Sequence, residues 1–140
     1  MSNAKEKHLE LIQAVITRMA HCSFLIKGWA IAVAGVGFTF HESVKAKPQL
    51  IAPIGILILS LWGLDGFFLW QERRFRILYN KVRQKNDDEI DFSMEYPATN
   101  ADMGKRCTWL KAVFSWTLLP FYGAILVSGV AFIFIAKMNF

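Results

Sequence analysis

Two opposite charges stand inside otherwise apolar stretches of the chain, Lys27 in SFLIKGWAIAVAGVGFTF and Asp65 in LILSLWGLDGFFLW. An acid and a base held away from water can pair, relay a proton or fix the register of the helices that carry them. A charge at the centre of a membrane helix costs about 2.5 to 3.5 kcal/mol on insertion scales. A cation and an anion at matching depth on neighbouring helices are therefore expected as partners, and the spacing predicts a Lys27–Asp65 ion pair. Its plainest role is packing and register. Conduction would need more polar groups across the bilayer, where the outer halves offer Thr39 and Ser60, with Ser115, Thr117 and Ser128 on the last apolar span.

Other chemistry is thin. His8, His21 and His41 have no metal-ligand spacing, and no phosphate-cradling glycine loop, GxSxG or paired carboxylates on one face are present in the sequence. Arg18 and His21 fit one corner of a nuclease site, but two residues three apart on an amphipathic helix are far more often surface or packing groups. No enzyme, metal or cofactor is expected. Cys22 and Cys107 lack CxxC spacing and read as reduced thiols.

The elements that must position the pair follow from hydropathy. A chain of 140 residues that is 54% hydrophobic, with mean hydropathy +0.33, is too apolar for an ordinary soluble domain, so the membrane class comes first. No cleavable signal peptide is visible, because Lys5, Glu6, Lys7 and Glu10 interrupt the start. Residues 5–22 space Leu9, Ile12, Val15, Ile16 and Met19 along one helix face. A first span is predicted over 23–40; its uncharged part, 28–40, is about 20 Å long and falls short of a hydrocarbon core of about 30 Å, so Lys27 must lie inside. Pro48 suits a helix start. A second span is predicted over 49–70, continuing as a helix over 71–86. Residues 87–108 form a loop in which Ile90, Phe92, Met94 and Tyr96 alternate with polar residues; a short strand over 90–96 and a mobile acidic loop both fit. The third span is predicted over 112–136 as one helix that Pro120 kinks or locally loosens.

Charge sets the direction. Lys5, Lys7, Arg18, Arg73, Arg74, Arg76, Lys81, Arg83, Lys85, Lys105 and Arg106 fall on one side, Lys45, Lys47 and Lys137 on the other. By the positive-inside rule the first side is cytoplasmic, which in a bacterium means an inner-membrane protein with a cytoplasmic N-terminus and a periplasmic C-terminus. Arg73, Arg74, Arg76, Lys81 and Arg83 give the exit helix a basic face suited to anionic headgroups or to a cytoplasmic protein partner; nucleic acid is not expected, because that face abuts lipid and lacks stacking aromatics.

Small residues form the other constellation. Gly28, Ala32 and Gly35 on the first span and Ser60, Gly63 and Gly66 on the second permit close helix approach, within one subunit or between copies.

At KEKHLELIQ (5–13), RMAHCSFLIKGW (18–29), WGLDGFFLWQERRFRILYNKVR (62–83) and DFSM (91–94), the chain resembles the RipA family of small octameric bacterial inner-membrane proteins. The third span is similar in hydropathy alone, and Gly66 stands where the family pattern would place a bulky aromatic. The resemblance implies a closed homo-octamer of three-span subunits with cytoplasmic helices around the axis and no established catalysis. Lys27, Gly28, Trp29, Asp65, Gln71, Glu72, Arg73 and Arg76 match, with structural roles. The expectation is an all-α membrane protein, one domain over 1–140, with three transmembrane helices and long helical cytoplasmic extensions, assembling as a homo-oligomeric ring. Scaffold, pore-like assembly, gated or depolarising channel and membrane adaptor are the functions that fit.

Overall fold

A computed structural model describes residues 3–44, 48–95 and 108–138. Two long helices dominate it, α1 (Asn3–Val44) and α2 (Pro48–Gln84). They run antiparallel: Lys5 meets Asp87 just beyond the end of α2, Lys27 meets Asp65, and Gly37 lies against Ile54. The hairpin thus has an open end, at Asn3 and Gln84, and a turn end. Pro48 opens α2, where its missing N–H costs nothing.

At 1.5 Å per residue the 42 residues of α1 extend about 63 Å, roughly twice a hydrocarbon core. One continuous helix therefore joins the sequence's amphipathic segment to its first span, and α2 joins the second span to the basic exit helix. Among the described residues three helices are long and apolar enough to cross a membrane, within Asn3–Phe40, Ala52–Gln84 and Leu118–Ile135. Their outer surfaces agree with lipid as solvent: Phe24 is 73% exposed, Ile56 65% and Val127 69%.

Apolar contacts gather in two places. Near the open end Leu9, Ile12 and Ile16 of α1 close on Leu78 and Val82 of α2. Farther along, Ala30 and Ile58 pack against Leu118 and Tyr122.

The third span departs from the sequence expectation. The predicted single helix over 112–136 is two pieces, α3 (Trp109–Val113) and α4 (Leu118–Met138), with a break at 114–117. Ser115 turns the chain there, its carbonyl accepting from the Leu118 and Leu119 amides at 3.1 and 2.9 Å. The Val113 carbonyl is met by the Trp62 indole N–H at 2.9 Å. Pro120 consequently falls in the first turn of α4, where no intrahelical donor is required, and the irregularity expected at Pro120 lies just before it, as the break at 114–117.

The segment after α2 also differs from one of its two expectations. Among the described residues no strand forms over 90–95; a 3-10 turn at Asp87–Glu89 leads into an extended stretch. A lone strand has no ladder to satisfy it, and Ile90 and Met94 instead pack on the open-end core. Tyr96, Lys45, Lys47, and 97–107 with Lys105, Arg106 and Cys107, lie outside the described residues.

Candidate polar centre within the helices

Asp65 is fully buried where α1, α2 and α4 converge. Lys27 Nζ lies 2.6 Å from its Oδ2, so the structure brings together the two charges singled out by spacing. Two further donors complete the group. The Ser23 hydroxyl donates to Oδ1, and Tyr122 Oη donates to Oδ2 at 3.1 Å. Lys27 also donates to Ser23 Oγ at 2.8 Å, which the i,i+4 spacing of those residues on α1 allows.

The packing explains the placement. Trp62, one turn before Asp65 on α2, stacks on the Tyr122 ring with centroids 5.6 Å apart and planes 11° from parallel. That contact fixes α4 against α2 and aims the phenol at the carboxylate. The Lys27 side chain keeps 25% exposure while Asp65 has none, so the cation closes the group from its rim. Three donors on one carboxylate satisfy most of its acceptor capacity, and this arrangement acts as a polar clamp across three helices.

Spacing alone missed Ser23 and Tyr122. Both gave a signal: Ser23 stands four residues before Lys27, and Tyr122 is a phenol near one end of an uncharged span, where its hydroxyl needs a partner.

The small residues divide. A Cβ at Gly66 would overlap Val113 Cγ2 and stand 3.1 Å from Val113 Cα, and one at Gly63 would touch Trp109 at 3.8 Å, so this pair seats α3 on α2. Trp109 Nε1 adds a hydrogen bond to the Gly63 carbonyl at 3.3 Å. A Cβ at Gly28 or Gly35, by contrast, would meet no atom of another described element within 4 Å, and Ala32 and Ser60 are exposed. Ser60 Oγ donates to its own helix at the Ile56 carbonyl, 2.8 Å away.

The basic face divides too. The Arg74 guanidinium sits 4.5 Å above the Trp70 ring, a cation–π contact, and reaches Gln71 Oε1 at 3.3 Å. Arg76 pairs with the largely buried Glu72 at 2.6 Å. Arg73 is half-buried, and Lys81 and Arg83 are exposed.

A second constellation closes the open end. Lys5 Nζ donates to the Lys85 carbonyl at 2.7 Å and lies 3.8 Å from Asp87, while Lys85 approaches Asp91 at 3.5 Å. His8, 1% exposed, hydrogen bonds through Nε2 to the Ser93 carbonyl at 3.1 Å, its ring 5.4 Å from Phe92. Phe92 adopts φ 53°, a left-handed conformation unusual for a residue with a Cβ. The Ser93 amide, bonded to the Asp91 carboxylate at 3.2 Å, holds that acid below the usual carboxylate range, and Lys85 reinforces it.

Among the described residues no group of three or more His, Cys, Asp or Glu is placed to hold a metal. The chain matches no known family model, no curated protein and no solved structure.

Proposed function

We propose that the chain is a non-enzymatic homo-oligomeric protein of the bacterial inner membrane, N-terminus cytoplasmic and C-terminus periplasmic. In this reading three-span subunits assemble as a ring, octameric as the RipA-like motifs imply, and serve as a scaffold or pore-like assembly with a cytoplasmic rim. The observation that carries self-association is the outward face of α1. Gly28 and Gly35, two turns apart with Ala32 between them, leave a narrow apolar strip that nothing among the described residues covers. Helices associate in lipid by close backbone approach, which such strips permit.

The satisfied state of Asp65 bears on the channel alternative. Its donors all come from one chain, so a conducting path would run between subunits along a ring axis. An adaptor function draws support from a different observation, the exposure of Lys81 and Arg83 near the end of α2 and of Asp88 and Glu89 in the turn after it.

Light-scattering mass and particle symmetry of the detergent-solubilised chain test the proposal. A ring of several copies is expected, shifted to smaller species by Gly28→Leu with Gly35→Leu; a monomeric wild type contradicts it. Conductance in planar bilayers would select the channel alternative, and stoichiometric co-purification of a soluble protein the adaptor.

A further inference from the structure

A groove of about 180 Å³, open along one side, lies between α1, α2 and α4 toward the turn end of the hairpin. Each helix places a glycine on its wall, Gly37, Gly55 and Gly129, and the remaining lining is aliphatic or phenyl with no polar side chain. Phe38 and Phe132 bound one end, their rings 5.0 Å apart. One turn in the other direction the packed group of Ala30, Trp62 and Tyr122 forms a floor. Gly55 stands about 15 Å along α2 from Asp65, which puts the slot at hydrocarbon depth.

These glycines serve different ends. A Cβ at Gly37 would meet Ile54 at 3.1 Å, so that residue permits close approach. At Gly55 and Gly129 nothing lies within 4 Å. Glycine is a poor helix former, and at these two positions its smallness keeps space open instead of bringing backbones together. Water is a poor occupant of such a space, because an ordered water needs several polar partners and these side chains offer none. Left empty, the lining would forfeit its dispersion contacts on one side. The non-polar group present in bulk at this depth is a lipid tail.

We infer that the slot holds one acyl chain of a phospholipid, seated between the three helices as resident lipid and distinct from the annular layer. The inference rests on the membrane reading above and is independent of subunit number. Native mass spectrometry of the full chain, released from nanodiscs of phosphatidylethanolamine and phosphatidylglycerol, tests it. Wild type is expected to keep one phospholipid per chain after the rest are stripped. Gly55→Leu and Gly129→Leu, which fill the slot, lose most of that retained lipid, and Phe24→Leu, on the outward surface remote from it, keeps it. Bare wild type, or equal retention in the filled variants, overturns the inference. So does an unchanged lipid count with loss of the oligomer in those variants, which would assign the slot to a side chain from a second copy.

A second measurement needs no variant. Wild type reconstituted with phosphatidylcholine bearing a mid-chain diazirine is expected to crosslink within 54–58 and 125–133; labelling confined to the outward Trp29, Trp116 and Val127 overturns the inference. Failure of the membrane reading shows separately, as release of the chain from membranes by carbonate. The inference alone fails where the chain resists carbonate and the slot stays unlabelled.

Discussion

Tyr122 places its hydroxyl 3.1 Å from Asp65 Oδ2, the same oxygen that Lys27 holds at 2.6 Å. One carboxylate thereby ties the third span to the hairpin formed by the first two. Tyr122→Phe removes one hydrogen bond to a charged acceptor, expected to cost about 1.5 to 3 kcal/mol, while Ser23 and Lys27 keep the acid satisfied. Thermal unfolding in detergent checks this; a variant as stable as wild type would mean the phenol contributes packing alone.

Removing either charge is worse than removing the phenol. Asp65→Ala leaves Lys27 without its anion in a low-dielectric site, and the expected loss is about 3 kcal/mol, the low end for a broken buried pair, since Lys27 retains 25% exposure. Exchanging the two, Lys27→Asp with Asp65→Lys, is expected to recover part of the loss. Native electrophoresis of assembly reads this out, and an exchange no better than either single change would count against pairing.

Gly66 is expected to tolerate no side chain. A Cβ there overlaps Val113 Cγ2 and stands 3.1 Å from the Val113 backbone. Gly66→Ala should cost about 1 to 3 kcal/mol by overpacking, partly relieved by Val113→Ala. Gly28→Ala, facing open space, leaves the subunit's stability unchanged or raised; equal losses at the two positions would refute the packing assignment.

The open-end clasp is expected to loosen in acid. The folded-state value of Asp91 lies below that of the free carboxylate. Its contribution is thus present above the unfolded value of about 3.9 and is lost as pH falls through the lower folded value. A nitroxide at the exposed Glu95 should become more mobile below about pH 4. In Asp91→Asn that step is expected to shrink; an identical profile would remove Asp91 from the clasp.

Much of this architecture is legible in the amino-acid sequence. Lys27 and Asp65 stand out because a charge in an apolar span has few ways to be satisfied, and hairpin arithmetic puts them level. Ser23 and Tyr122 give weaker signals, since the partner of each hydroxyl is set only when its helix docks on α2. The break at 114–117 is hidden for a related reason: Phe114, Ser115, Trp116 and Thr117 look apolar enough to continue a helix, and the Trp62 indole that meets the Val113 carbonyl comes from far away in sequence. Alternation over 90–96 suggests a strand, but among the described residues no second strand stands beside 90–95, and Phe92 turns left-handed against His8.

The threading of the chain through a bilayer underlies all of these assignments. With Cys22 and Cys107 replaced by serine, single cysteines at Lys45 and Lys81 can be labelled with a membrane-impermeant maleimide in intact bacterial cells whose outer membrane has been made permeable. Labelling at position 45 in intact cells, and at position 81 only after the inner membrane is broken, is the expected result. Reaction of both positions in the same compartment would contradict the threading and, with it, the matched depth of Lys27 and Asp65.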